Sequence, residues 1–324
     1  MIISQTPLRL SFVGGGTDFQ DFYRVHKGQV ISASIDKYIY VIVKKRYDDL
    51  IVLHYTENEI VGKVEDIRHE IIREALSMLG IKKGIEIITL ADITMKGSGL
   101  GSSSVLTVGL LNALHHYLGE SVSSEQLAKE ACELEINRLC KPIGKQDQYI
   151  AAYGGIKKFI FHPDESVEVV PFRLQEDTIH SLNTSLILHN TGVTRKAEMI
   201  LQEQNDKTAS NVQELQTISG LVDTLHAAFD QGNHLVLGEL LKINWEMKRK
   251  LASGINIPVI EEMITIAGNN GASGCKIVGA GGGGFIMSYV PAAHLANFKK
   301  AMLPYQELPF HFDPHGTRIL INVF

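Results

Sequence analysis

The chain has no GxxxxGK[ST] run, and so no Walker A loop carrying its own phosphate-binding lysine. It lacks the HRD and DFG set of protein kinases. His69-Glu70 is followed by Ile71, Ile72 and Arg73, which excludes a zinc-type HExxH helix. Cysteine is scarce. Cys132, Cys140 and Cys275 are odd in number and lack metal-like spacing, which predicts reduced thiols in a cytoplasmic protein. No apolar run is long enough to span a bilayer, so no membrane partner is expected. The opening residues MIISQTPLRLSF lack a basic stretch followed by an apolar one, so no secretory signal is expected there. Positive charge is not in excess. Thirty-one Lys and Arg face 36 Asp and Glu, a formal net charge of −5, which gives no sign of a nucleic-acid partner. There is no fixed-period repeat and no low-complexity segment.

What remains is an ordinary globular balance, 44% hydrophobic and 21% charged over 324 residues, enough for two domains. Residues 2 to 55 read as strands separated by turns: LRLSFV, QVISASI, YIYVIVKKR and LIVLHY are all rich in β-favouring residues. VEDIRHEIIREALSML and SSEQLAKEACELEINRLC carry helical spacing. In the second, Ala128, Cys132, Glu135 and Leu139 share one face, so Glu135 is a carboxylate on an apolar stripe. GIKKFIFH, SVEVVPF and TSLILHN read as further strands, and a boundary is expected in the polar stretch near residues 173–184. The domains are placed at residues 1–178 and 179–324. The second is mainly helical, from Arg195 onward, and closes with a strand at TRILINV.

The densest chemical signal is Gly97-Ser98-Gly99-Leu100-Gly101-Ser102-Ser103-Ser104, between the strand IEIITLADI and the helix VLTVGLLNALHHYL. Alternating glycines let a ligand approach the backbone closely. The unpaired N–H groups and positive dipole at a helix start suit a phosphate. The plainer alternative is a glycine turn with a serine N-cap. GAGGGG at 279–284 fits GxGxxG in form, but the strand-like FIMSYV follows where a dinucleotide site needs a helix.

Four separated pieces, TPLRLSFVGGGTDF, GSGLGSSS, GKQDQY and KIVGAGGGGF, together resemble the GHMP family of small-molecule kinases, from Pro7 to the end. The first piece is most similar to the sugar 1-kinases acting on D-glycero-D-manno-heptose 7-phosphate. Galactokinases carry a Glu-His pair where this chain has Gly15-Gly16, which argues against galactose. The resemblance implies an α+β, two-domain fold: an N-terminal domain like ribosomal protein S5 domain 2 and a ferredoxin-like C-terminal domain. It implies ATP and Mg²⁺ as cofactors and a sugar phosphate as substrate, phosphorylated at its anomeric hydroxyl. A kinase for another sugar such as fucose, or a sensor that binds ATP and sugar without catalysis, are the alternatives.

By that resemblance Gly97, Gly99, Leu100, Gly101, Ser102, Ser103 and Ser104 hold the ATP phosphates. Ser103 and Glu135 ligate Mg²⁺, unless Glu135 is a buried acid paired with an arginine. Asp147 is the base, unless it is an ordinary first-turn aspartate of a helix. Arg9 stabilises the transferring group, or is a solvated strand arginine. Gly16, Thr17 and Asp18 contact the sugar, though Asp18 also suits a turn. Arg195, opening a helix after TSLILHN, binds the substrate's own phosphate or is solvated.

Overall fold

The computed structural model describes residues 1–93, 97–194 and 197–323. Twelve strands are found among them: β1 (Ile2–Val13), β2 (Gly28–Lys45), β3 (Ile51–His54), β4 (Asn58–Val61), β5 (Ile85–Ala91), β6 (Ile156–Phe161), β7 (Val167–Pro171), β8 (Leu186–Asn190), β9 (Gly274–Ile277), β10 (Phe285–Tyr289), β11 (Glu307–Leu308) and β12 (Arg318–Asn322). They form two sheets. The eight-stranded sheet runs β12-β1-β2-β5-β3-β4, with β6 on β2 and β7 on β6. The four-stranded sheet runs β11-β8-β10-β9 and is antiparallel throughout. Helices pack on both, giving the α+β class expected from the sequence.

QVISASI and YIYVIVKKR form one strand, not two. β2 is continuous for 18 residues, and its two halves have different neighbours. Gly28–Ala33 pairs with β6, and Ile39–Lys45 pairs with β5, while β1 runs along the other edge of both halves. The register shifts between Pro7 and Leu8, where β1 has no N–H to give and the intervening Asp36-Lys37 loops past it. This fusion carries the start of β1 and its end, near Arg9 and the glycine triplet, on one rigid support.

The helix Ser102–Tyr117 lies across β1 and β2 and is buried almost all round, so it shows little amphipathic contrast. The expected helix SSEQLAKEACELEINRLC divides into Ser124–Cys132 and a π-helical run Glu133–Arg138. Ser123 caps its start by accepting from the Gln126 N–H at 3.1 Å. The wide π turn shifts the helical phase, and Glu135 ends fully buried behind the Ser102 helix. The stretch after TSLILHN gives two helices, Ala197–Asp206 and Val212–Asp230.

The boundary stretch RLQEDTIHSLNT holds the helix Glu176–Ser185, which links β7 of the first sheet to β8 of the second. β12 then returns to the first sheet beside β1, so the last residues described do not stay with the second. Helix Val236–Lys248 bridges the halves, packing on β9 and also against β1. No helix among the described residues is long and apolar enough to cross a membrane.

Candidate active site

Gly97, Gly99 and Gly101 all have positive φ, 73°, 74° and 79°, a region closed to most side chains. Gly101 is the N-cap of the Ser102 helix and makes no side-chain cap. The three serines therefore occupy the first helical turn, and none of them is the N-cap. Ser102 Oγ lies 3.0 Å from Ser98 Oγ. The first-turn N–H groups have no intrahelical partner and point out of the helix start.

GAGGGG is the turn between the antiparallel strands β9 and β10, so it opens no helix. It packs backbone to backbone on the first loop. A Cβ on Gly99 would collide with the carbonyl of Val278, and one on Gly279 with the carbonyl of Gly99. The two glycine motifs, 180 positions apart in sequence, are thus one structure.

Ser103 donates to Glu135 Oε1 at 2.9 Å, and Gln148 donates to Oε2 at 2.8 Å. Burial pushes the Glu135 carboxyl upward, while hydrogen bonds from Ser104, Gln148 and Ser103 pull the other way. Among the described residues no arginine lies against it; Lys141 is the cation that acts on it from a distance. A buried carboxylate beside a hydroxyl, with no ion-pair partner, is a donor set suited to a hard cation completed by phosphate oxygens and water. Among the described residues no group of three or more His, Cys, Asp or Glu side chains is arranged to hold a metal ion by itself.

Arg9, from β1, is 4% exposed. Its Nε and Nη2 donate to Asp147 Oδ1 and Oδ2 at 2.6 and 2.7 Å, and Nη1 donates to the Gly99 carbonyl at 2.6 Å. This fork fixes both groups in one plane and ties them to the glycine loop. Asp147 sits in the first turn of helix Gln146–Tyr153. Asp18 is buried and accepts from the N–H of Gly16 at 3.0 Å, the N–H of Gln146 at 3.2 Å and Gln146 Nε2 at 3.2 Å. Burial raises its pKa, against those backbone bonds. Gly144 is required here, because a Cβ would overlap the Asp18 carboxylate.

Two connected compartments result. The loop compartment is lined by Gly97 to Gly99, Gly101 to Ser104, Lys141 and Thr194. The aspartate compartment is lined by Ser11, Gly15, Gly16, Asp18, Gln146, Gln204 and Lys248. Arg9, Ser104, Asp147 and Gly279 line both, so the Arg9–Asp147 pair stands at the junction. Ser11 Oγ and Gln146 Oε1 are buried in the aspartate compartment and have no partner among the described residues, polar atoms left over for a ligand.

Two expected site residues lie behind the compartment walls. Leu100 is fully buried in the core and lines neither compartment; its carbonyl accepts from the Arg9 N–H at 3.2 Å. Thr17 also lines neither. Its hydroxyl lies 2.9 Å from the Gly14 carbonyl and 2.8 Å from that of Gln29, and so holds the loop closed instead of facing a sugar. Arg195 lies outside the described residues.

Gln204, Lys141 and Lys248 are the site residues that motif reading passes over. Gln204 and Lys248 sit in helices and Lys141 in the loop before helix Gln146–Tyr153, none of them inside a glycine motif, so only the fold brings them to the cleft. Lys141 is held by Glu70 at 2.6 Å and Glu198 at 3.4 Å.

The profile "GHMP kinases N terminal domain" matches residues 65–155, and "GHMP kinases C terminal" matches residues 225–304. The D-glycero-alpha-D-manno-heptose 7-phosphate kinase of Campylobacter jejuni is 28% identical, over 98% of this chain and 98% of that protein. Among solved structures, a putative sugar kinase from Campylobacter jejuni superposes with a TM-score of 0.79 at 27% identity, covering 98% of this chain and 97% of that one. A D-glycero-D-manno-heptose 1-phosphate kinase from Bacteriodes thetaiotaomicron gives 0.84 at 23% identity over 100% of both chains, a likeness of fold. With both profiles matched in order and the fold shared along its whole length, the chain belongs to the GHMP kinase family.

Proposed function

We propose that the chain is an ATP-dependent sugar kinase that phosphorylates the anomeric hydroxyl of D-glycero-D-manno-heptose 7-phosphate, giving the 1,7-bisphosphate. The observation that carries this reading is the Arg9–Asp147 pair at the junction of the two compartments. Phosphoryl transfer asks for positioning and charge neutralisation more than covalent chemistry. The loop compartment has the backbone donors that suit a triphosphate, and the aspartate compartment has the buried polar atoms that suit a sugar.

In this reading Asp18 and Gln146 hold sugar hydroxyls. Asp147 accepts the proton of the attacking hydroxyl and aims its oxygen at the phosphorus. Arg9 keeps Asp147 in place and offers its remaining N–H groups to the transferring oxygens. Gly97 to Ser104 hold the phosphates through backbone N–H groups and hydroxyls. Ser103 and Glu135 would hold Mg²⁺, which when bound neutralises charge on the phosphate oxygens. Arg195 would bind the 7-phosphate. A cytoplasmic location belongs to this reading, supported by the use of ATP and by three unpaired cysteines, which suit a reducing compartment.

The test is incubation with ATP, Mg²⁺ and a panel of sugars and sugar 7-phosphates, with the product identified by phosphorus and proton NMR. A new phosphate on the anomeric carbon of the heptose 7-phosphate is expected. Turnover of neutral hexoses alone, fucose included, would overturn the substrate and the role of Arg195.

A further inference from the structure

Two lysines from the second half are buried where the first and third glycine motifs meet. Lys276, on β9, is 1% exposed and donates to the carbonyls of Ser11 and Phe12 at 2.8 and 2.9 Å. It ties the end of β1 to the second sheet and lines neither compartment.

Lys248 differs in lining the aspartate compartment. It ends helix Val236–Lys248 and is 6% exposed. The helix carbonyls at that end favour a cation. Its Nζ donates to the carbonyl of Gly279, the residue that lines both compartments and abuts Gly99. Among the described residues no carboxylate lies within ion-pair distance of it. An ammonium has three donors, so donors remain for a ligand.

The charges facing it are few and can be named. Arg9 faces it from β1, Asp18 from the loop after β1, Asp147 from helix Gln146–Tyr153, and Lys276 from β9. Both carboxylates are engaged elsewhere: Asp147 is forked to Arg9, and Asp18 accepts from the N–H groups of Gly16 and Gln146. Arg9 and two lysines therefore meet two carboxylates in a buried place; burial and its cationic neighbours push Lys276 toward its neutral form, and an uncompensated ammonium at Lys248 is costly. An anion in the compartment would relieve it. Burial and the Arg9 charge push the Lys248 ammonium down to about 8.

We propose that Lys248 is a phosphate-binding residue of the transfer step, its ammonium taking an oxygen of the phosphoryl group as that group passes to the acceptor hydroxyl. The bond from phosphorus to the bridging oxygen of ADP breaks, and its electron pair stays on ADP. The bond from phosphorus to the acceptor oxygen forms, and the hydroxyl proton goes to Asp147. Lys248 then faces the charge from the acceptor side while the loop faces it from the other. The proposal rests on the kinase reading above but not on which sugar is used.

The test compares Lys248→Met and Lys248→Arg with the wild-type enzyme on whichever sugar it phosphorylates. Lys248→Met is expected to lower kcat about 100-fold, the scale for one preorganised donor, with the affinity for ADP and the thermal midpoint unchanged. Because the charged lysine is the active form, wild-type kcat/KM should fall as pH rises through about 8. In Lys248→Arg that fall should move to higher pH, with part of the activity retained. A kcat for Lys248→Met within about threefold of wild type overturns the proposal. So does a loss that follows a fall in ADP affinity and thermal midpoint, because that marks a tether to Gly279 and nothing more. If the wild type binds ADP yet phosphorylates no sugar, the kinase reading falls instead. Lys248 is then judged by ADP with fluoroaluminate, a mimic of the phosphoryl group in flight. Equal affinity of wild type and Lys248→Met for that pair overturns the proposal, and a weaker variant supports it.

Discussion

Around Gly97 to Ser104 the wall of the cleft is mostly backbone: three glycines at positive φ, a helix start without a side-chain cap, and a second glycine turn pressed against it. Around Asp18 the wall is made of charge, with Asp18, Arg9 and Lys248 buried and Asp147 half-buried, each held by named donors or acceptors. The first kind of surface offers many weak dipoles fixed in place, which suits a polyphosphate of any identity. The second offers a few strong, oriented groups, which suits recognition of one acceptor and the handling of one proton. A variant on the first side should therefore change nucleotide affinity, and one on the second should change turnover.

The largest expected effect tests that division at the junction. Asp147→Asn should lower kcat by about 100-fold or more while ATP affinity, measured by calorimetry, stays nearly unchanged. An unchanged kcat would remove Asp147 from the transfer step. Next comes Gly99→Ala. The methyl would meet the Val278 carbonyl from a residue held at φ 74°, so the two glycine loops must part. ATP affinity should fall by about tenfold or more, with sugar affinity retained; an equal loss of both would blur the comparison. Ser103→Ala should raise the Mg²⁺ concentration needed for half-maximal activity by about tenfold, and EDTA should abolish turnover of the parent enzyme. Ser102→Ala, whose hydroxyl faces Ser98, should change the Mg²⁺ requirement less. Equal, mild effects from both would return the serines to a purely structural part.

The smallest effect lies outside both compartments. His115 is buried with Nε2 2.6 Å from Glu130 and Nδ1 2.6 Å from Glu120. The Glu130 hydrogen bond raises its pKa above 6.5, with Glu120 adding to this against the opposing effect of burial. A raised histidine stabilises the fold fully below its unfolded pKa and loses that contribution as pH rises through the folded value. The thermal midpoint should carry this fall on the alkaline side of pH 6.5, and His115→Gln should flatten it while leaving kcat intact. A midpoint with the same pH slope in both proteins would show that the pair contributes nothing measurable.

The backbone-built side was legible because its requirement is local. The positive φ at Gly99 and Gly101 is a property of the local backbone, although the Val278 carbonyl that also bars a side chain at Gly99 is not, and strand-like FIMSYV after GAGGGG already argued against a dinucleotide turn. Glu135 was legible through its stripe, although the π turn that buries it was not. That the Leu100 side chain turns into the core was not legible, because a motif marks a stretch and only packing says which side chains of it line the cleft. The same holds for Thr17, whose hydroxyl meets the carbonyls of Gly14 and Gln29. The fusion of two expected strands into β2 depended on β1, β5 and β6 sharing it, which no local window contains.

The sequence by itself determined the order of the glycine motifs, the strand–loop–helix that carries the first-turn serines, and the α+β class, because each follows from backbone freedom or from a short hydrophobic period. The tertiary structure alone decided that Arg9 would fork onto Asp147 across 138 positions, that Gly279 would seat on Gly99, and that Lys248 would be buried in the wall of the aspartate compartment. Charge pairing and burial are properties of what surrounds a side chain in space. Those surroundings come into being only when helix Val236–Lys248 packs across the gap between the two sheets.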